Sequence, residues 1–116
     1  MRLRQKFIYF WQRRSRGFDD SITWNLDGEL AKWLLPRLKR FQELNNGYPD
    51  GLTPEGWDNI LKKMIFALEV KRDNDFELMH KWINGPEYMD KHWKKLWRKK
   101  EEGMFYLAKF MDHLWW

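Results

Sequence analysis

Positive charge and aromatic rings, the side-chain types that bind phosphate-bearing ligands, are concentrated in two short segments of this 116-residue chain. Residues 1–16 contain six basic side chains and no acidic one, and residues 91–100 contain six more, again without an acid. Residues 17–90 are acidic overall, with nine basic and fourteen acidic side chains. The net charge of +5 therefore conceals two cationic segments on an acidic body. This segregation favours a phosphate-bearing ligand, a nucleic acid or an acidic protein as partner, although a solvated helix face without any ligand gives the same pattern.

Tryptophan is unusually frequent, with nine residues, and the neighbours of each indole predict its place. Trp33 and Trp57 fall in helical apolar stripes and are predicted to lie in the core. Trp93 and Trp97 are surrounded by lysine and arginine and could stack on bases, but their helical spacing favours the core, with lysine stems around them. The terminal pair Trp115–Trp116 is predicted to pack on the bundle or on another subunit.

Side chains for catalysis or metal binding do not occur in productive arrangements. The seven glycines are scattered without forming a phosphate-binding loop, and no cysteine is present for nucleophilic or zinc chemistry. Glu77 and His80 have the spacing of a di-iron helix, but the second copy is missing, and residues 73–75 begin a calcium loop that is not completed. No serine, histidine and acid form a recognisable triad. We therefore predict a protein that is not an enzyme and that uses no metal or cofactor.

The segments that carry these side chains have helical patterns. Apolar residues at spacings of three and four predict a first helix over residues 2–15, which ends before Gly17 and is followed by a tight turn. Asn25 is predicted to cap a second helix that reaches about Asn45 and is kinked or divided at Pro36. Turn-forming residues then predict a loop up to residue 51.

A hydroxyl cap followed by proline, Thr53 and Pro54, predicts the start of the third helix. Its apolar pattern pauses at residues 73–75 and resumes until a Gly-Pro pair interrupts it. A last helix is predicted from residue 87 to about residue 113, with Gly103 as a weak point where the helix bends.

The fold expected from these elements is all-α, a compact helical bundle of four or five helices with one helix kinked at Pro36, in a single domain over residues 1–116. The longest apolar runs are five residues, whereas about 20 are needed to cross a bilayer, so no membrane span is predicted. The absence of cysteine suits the reducing environment of a cytoplasm.

Several short blocks of the sequence resemble a family of small tailed-bacteriophage proteins. They lie in order within residues 16–70 and at the end of the chain: Arg16-Gly17-Phe18-Asp19-Asp20-Ser21, Trp24-Asn25-Leu26-Asp27, Gly47-Tyr48-Pro49, Leu52-Thr53-Pro54-Glu55 and Leu114-Trp115. The family is largely uncharacterised, so the resemblance implies a phage accessory protein in the host cytoplasm rather than a particular activity. The chain departs from the family pattern at Gly56 and in a longer basic segment over residues 87–103.

Phage accessory proteins without catalytic motifs commonly act by stoichiometric binding, either blocking a host protein or sequestering a nucleotide signal of host defence. We therefore expect a non-enzymatic, homo-oligomeric binder that sequesters such a nucleotide, with arginines clamping phosphate and indoles stacking on the base. The candidate ligand-binding residues are Arg13, Arg14, Arg16, Trp24, Arg37, Arg40 and Trp97. The alternatives are a module that docks its basic helices on an acidic host or virion protein, and a DNA-binding accessory protein.

Overall fold

The computed structural model describes residues 2–84 and 91–115, and for residues 74–84 it describes the backbone. Within these ranges the regular structure is entirely helical, which confirms the predicted all-α bundle. The α-helices are α1 (Leu3–Arg16), α2 (Leu26–Leu44), α3 (Pro54–Asn84) and α4 (Lys91–Lys109), and short 3-10 helices span Asp20–Asn25 and Met111–His113. The predicted helix start at Glu87 lies outside the described residues.

The chain divides into two compact units, residues 1–30 and residues 31–116, here called the first and second units. The first unit contains α1, the 3-10 helix Asp20–Asn25 and the beginning of α2. The second unit contains the remainder of α2 with α3, α4 and the last 3-10 helix. A single domain over the whole chain stays a prediction.

Local sequence determines how α1 ends and how the next turn begins. Gly17 has a φ of 85°, in the left-handed region that glycine adopts without strain, and its N–H donates to the Arg13 carbonyl at 2.9 Å. Asp19 then caps the 3-10 helix Asp20–Asn25 by accepting the Ser21 N–H at 2.9 Å. The predicted turn after the first helix is thus a capped 3-10 helix.

The core of the second unit lies where α2, α3 and α4 meet, and its buried side chains are Ala31, Leu35, Leu38, Trp57, Leu61, Met64, Ile65, Leu68 and Leu107. Trp57 is in this core, as predicted, with 2% of its surface exposed. The prediction for Trp33 is wrong, because 57% of it is exposed. Trp33 lies two residues after Ala31, about 200° around the helix from the buried side. Helix α2 therefore packs through the face that carries Ala31, Leu35 and Leu38, and not through the predicted face that includes Trp33.

Pro36 lies inside α2, which continues through it, so of the two predicted outcomes, a kink or a division, the division does not occur. Proline removes one N–H donor from the helix, at an exposed position. Leu35 and Leu38, on either side of it, are both buried against the same core, and these contacts keep the two halves in one helix. Polar contacts tie α2 to α3, since Gln42 donates to the Asp58 carboxylate at 2.9 Å.

Helix α3 starts as predicted, with the Thr53 hydroxyl accepting the Gly56 N–H at 3.0 Å. It continues to Asn84 over 31 residues, about 46 Å, and therefore passes through residues 73–75 without a break. The pause in the apolar pattern at those residues does not mark a helix boundary.

Gly103 lies at a close approach between α4 and α3. A Cβ atom at this position would lie 2.2 Å from the Lys63 carbonyl oxygen and 2.5 Å from Cβ of Ala67. The glycine is thus needed for packing and is not simply a weak point of the helix. Further along the chain, Trp115 is 75% exposed, so the first of its two predicted placements, packing on the bundle, does not occur, and packing on another subunit stays a prediction. Trp116 lies outside the described residues.

Candidate functional site

Arg13 and Asp19 form the inner part of a polar cluster in the first unit. The Arg13 guanidinium pairs with the Asp19 carboxylate, which is buried and also accepts the hydroxyl and the N–H of Ser21. The hydrogen bond from Ser21, and after it the bond from Arg13, lowers the pKa of Asp19 below its ordinary value. Arg13 therefore already has an anionic partner within the protein.

Arg16 is held in a similar way at the outer part of the same cluster. Its guanidinium contacts the Asp20 carboxylate at 2.5 Å, donates to the Phe18 carbonyl at 3.2 Å and lies 4.5 Å from the centre of the Phe18 ring. Gln12 bonds both the Asp20 carboxylate, at 2.7 Å, and the Asp20 N–H, at 2.9 Å. The Gln12 amide, followed by Arg16, lowers the pKa of Asp20. Arg13 and Arg16 thus fix the turn after α1, and a phosphate would have to compete with two carboxylates for them.

The two other candidates of the first unit have more open surroundings. Arg14 is exposed on α1 and the structure gives it no ion pair within the described residues. Trp24 belongs to the 3-10 helix Asp20–Asn25 and is 81% exposed. Its ring is open to a ligand, but no cation–ring contact ties it to the arginines of α1 in the described structure.

The three candidates of the second unit do not converge on one pocket. Arg37 donates to the Trp33 carbonyl at 2.7 Å and its guanidinium lies 4.3 Å from the centre of the Trp33 ring. Arg40 pairs with Glu43 at 2.8 Å, one turn further along α2. Trp97 belongs to α4 and packs with its neighbours against Val70 of α3. These contacts satisfy each side chain locally, and they leave the predicted clamp of arginines and indoles without a shared site in this unit.

Four other cations of the second unit share one side of α4, and we call Lys91, Lys94, Lys95 and Arg98 the α4 basic face. Their spacing of three and four residues places them along one stripe about 10 Å long. Lys91, Lys95 and Arg98 are exposed and Lys94 is half-buried. The described residues provide no ion pair for any of the four. Sequence reasoning noted these cations but left them out of the candidate site, although their helical spacing already carried the signal.

The opposite side of α4 is fixed by aromatic packing. Trp93, Leu96 and Trp97 pack with Phe66 against the buried Val70 of α3. Lys100 is buried, with its ammonium 4.5 Å from the centre of the Trp97 ring, and the Lys99 ammonium lies 5.5 Å from the Phe66 ring. Of the two placements left open by the sequence, the structure shows the one in which the indoles pack on the bundle and lysine stems surround them.

An ion pair bounds the α4 basic face at its C-terminal end. Glu102 lies one turn after Arg98 on the same side of the helix and contacts the Lys63 ammonium at 2.5 Å. This hydrogen bond is the main reason that the pKa of Lys63 lies above its ordinary value. Because Lys63 compensates the Glu102 charge, the carboxylate does not neutralise the four preceding cations.

A cavity of about 590 Å³ is a second feature that sequence reasoning missed. It lies between the loop after α2 and the last 3-10 helix, and its lining includes Tyr48, Trp57 and Trp115. The sequence carried little signal for it, since its two walls are separated by more than fifty residues along the chain. None of the seven candidate residues lines this cavity.

The described residues contain no group of three or more histidine, aspartate or glutamate side chains that could hold a metal ion. The side chains of Glu77 and His80 lie outside that set. None of the helices in the described ranges combines the length and the apolar character required to cross a bilayer.

Compared with known proteins, the chain matches no protein-family model, no curated protein and no solved structure. The phage-family resemblance of the sequence blocks therefore stays an expectation.

Proposed function

We propose that this protein is a non-enzymatic binder of phosphate-bearing ligands and that phosphate binds on the α4 basic face. The observation that carries the proposal is the arrangement of four cations on one exposed stripe, whose opposite side is packed on α3. A cationic stripe fixed on a rigid helix attracts phosphate without first having to be ordered.

The α4 basic face supports this function better than Arg13 and Arg16 of α1 do. Arg13 and Arg16 are occupied by Asp19 and Asp20, so a phosphate bound there would have to displace a carboxylate. Lys91, Lys94, Lys95 and Arg98 have no such carboxylate partner among the described residues. Binding at α4 would exchange water and small ions for phosphate, and the release of those ions makes binding favourable at low salt.

The first candidate ligand is the one expected from the sequence, a nucleotide signal of host defence that a phage accessory protein would sequester. A second candidate is favoured by the shape of the face, because four cations in a line of about 10 Å match successive phosphates of a nucleic-acid strand. A small nucleotide binds most tightly in a concave site, whereas a helix stripe is convex. Both ligands use the same phosphate chemistry, and salt dependence separates them.

The test compares binding of a short thymidine oligonucleotide and of cyclic and linear nucleotides to the purified protein at several salt concentrations. The site variant combines Lys91→Gln, Lys95→Gln and Arg98→Gln. The control variant combines Arg4→Gln, Lys62→Gln and Lys109→Gln, which removes the same charge from other exposed surfaces. Fluorescence anisotropy reports the oligonucleotide and calorimetry reports the nucleotides.

The salt dependence and the two variants distinguish the candidate ligands. If the oligonucleotide binds, its binding constant K should fall as the salt concentration rises. The site variant should reduce the steepness of log K against log salt by about 2, because each of the three lost phosphate contacts contributes about 0.7. The control variant should keep most of the original salt dependence. Saturable binding of one nucleotide with weak salt dependence, lost in the site variant, would support sequestration. The proposal is wrong if no phosphate ligand binds, or if the control variant loses as much binding as the site variant.

A further inference from the structure

The cavity of about 590 Å³ in the second unit has the dimensions of a small-molecule site, which commonly measures about 300–1,000 Å³. One wall is the loop over residues 45–50, and the other combines Trp57 of α3 with the last two turns of the chain. The lining groups are three aromatic rings, an imidazole, a carboxylate and two side-chain amides, from Tyr48, Trp57, Trp115, His113, Asp50, Asn45 and Asn46.

The loop wall is held in place by its own hydrogen bonds. Asn45 donates to the Gly47 carbonyl at 2.6 Å, and the Leu52 N–H donates to the Pro49 carbonyl at 3.2 Å. Pro49 is buried, and Gly51 supplies the left-handed conformation of the turn with a φ of 86°. The cavity wall is therefore formed before any ligand binds.

The opposite wall is anchored through a chain of ring contacts. Trp57 is 2% exposed and its ring meets Phe110 edge-on at 5.5 Å between centres. Phe110 in turn contacts the His113 ring at 5.7 Å. Tyr48 and Trp115 also line the cavity but remain 52% and 75% exposed, so large areas of two rings are open to solvent. Exposed rings beside a cavity are costly in water unless a ligand covers them.

The charge around the cavity is opposite to that of the whole protein. Neither lysine nor arginine lines it, and its one carboxylate belongs to Asp50. Residues 41–61 contain four acids and no basic residue, and residues 110–116 contain one acid and neither lysine nor arginine. Two of these acids have partners, since Glu43 pairs with Arg40 and Asp58 pairs with Lys62. A phosphate would meet an unfavourable charge here, whereas a cation would meet a favourable one.

We propose that this cavity binds an alkylated ammonium group, with the exposed rings of Tyr48 and Trp115 as its aromatic faces, the buried Trp57 as part of the wall, and Asp50 as its counter-charge. Electron-rich ring faces attract an organic cation, which is weakly hydrated and therefore loses little when it leaves water, and a nearby carboxylate adds to that attraction. The volume leaves room for part of the molecule that carries the ammonium group. This cavity is separate from the proposed phosphate site on the α4 basic face. Arg98 is the last residue of that face, α4 continues for about 16 Å from Arg98 to Lys109, and the cavity lies beyond Lys109. The proposal therefore goes beyond the binding of phosphate.

The test is calorimetric titration of the full chain with choline and with dimethylbutanol, its uncharged isostere of the same shape. We expect choline to bind about tenfold more tightly than the isostere, because only choline gains the cation–ring and carboxylate attraction. Trp115→Ala and Asp50→Asn should each weaken choline binding about fivefold. Phe105→Ala is the control, since Phe105 is a 60% exposed ring outside the cavity lining, and it should change nothing. Circular dichroism checks that each variant is folded.

A second titration, with a peptide that contains trimethyllysine, distinguishes a small-molecule source of the ammonium group from a lysine side chain of another protein. Binding of choline alone assigns a small-molecule ligand, and binding of the peptide assigns a lysine side chain of another protein. Equal affinity for choline and the isostere would overturn the proposal, as would failure of both choline and the peptide to bind. The variant of the α4 basic face should keep its choline affinity, so that failure of one proposal is distinguishable from failure of the other.

Discussion

Replacing Gly103 with alanine tests the close packing of α4 on α3. In a helix without tertiary contacts, replacing an interior glycine with alanine stabilises the helix by about 1 kcal/mol, because alanine is the better helix former. In the folded protein the new methyl group would lie 2.2 Å from the Lys63 carbonyl oxygen and 2.5 Å from Cβ of Ala67, more than 1 Å inside ordinary contact. The obstacle at Lys63 is backbone, so α4 has to move away.

Moving α4 loosens the contacts of Leu107 with the core, and overpacking of this kind costs about 1–3 kcal/mol. Because the obstacle is backbone, the cost lies at the upper end of that range, about 3 kcal/mol, and the helix gain of about 1 kcal/mol reduces it to a net loss of about 2 kcal/mol in the free energy of unfolding. Urea titration measures this loss, and the thermal midpoint should fall by roughly 8 °C. The control is Gly56→Ala, where the nearest atom is the side-chain hydroxyl of Thr53 at 3.1 Å and little change is expected. A Gly103→Ala protein that is as stable as the original, or more stable, would refute the close contact.

Three further changes test the cap, the polar cluster and the exposed face of α1. Thr53→Ala should lower the free energy of unfolding by about 1 kcal/mol, since the Gly56 N–H loses its acceptor. The Asp19 pKa is depressed in the folded protein, so the stability from that carboxylate should be fully present above pH about 4 and lost as the pH falls below it, and the loss should be absent in Asp19→Asn. The sequence predicts a homo-oligomer, and Phe7 and Trp11 are exposed rings of α1 that contact with a second copy would cover, so we expect their joint replacement by serine to lower the solution mass.

The controls for these changes isolate single groups. Thr53→Ser retains the hydroxyl and should retain the stability. Hydrogen exchange of the turn over residues 17–21, compared at neutral and acid pH, should show opening of that turn, and unchanged protection at acid pH would contradict the role given to Asp19. Phe105→Ser removes an exposed ring of α4 and should leave the solution mass unchanged. A protein that is already monomeric would contradict the expected association through α1.

Features set by a few neighbouring residues could be predicted from the sequence. The cap at Thr53 and the glycine that ends α1 act within one turn of the chain, so their residue types are enough to locate a helix boundary. The all-α fold follows from helical periodicity for the same reason. The full length of α3 was harder to predict from the sequence. The polar residues at 73–75 are typical of a turn, but a helix tolerates them once its other faces are packed.

Features that depend on distant parts of the chain could not be predicted. Helix α2 has large apolar residues around much of its surface, so the choice of a face centred on Ala31 over one that includes Trp33 was made by its fit to α3. Charge counts show that arginines are numerous near residue 16, but not that a capped turn brings Asp19 and Asp20 to meet them. The aromatic cavity joins a loop to the end of the chain, and no spacing in the sequence connects the two.

The contact at Gly103 also fixes the register of α4 along α3. If α4 slid by one helical turn along α3, Lys99 or Leu107 would arrive beside the Lys63 carbonyl, where there is no room even for a methyl group. Only one longitudinal position of α4 is therefore compatible with the packing. That position determines which apolar side chains of α4 pack beside Val70 and where the last 3-10 helix meets the loop over residues 45–50. One glycine thus sets the alignment of both proposed binding sites with the rest of the bundle.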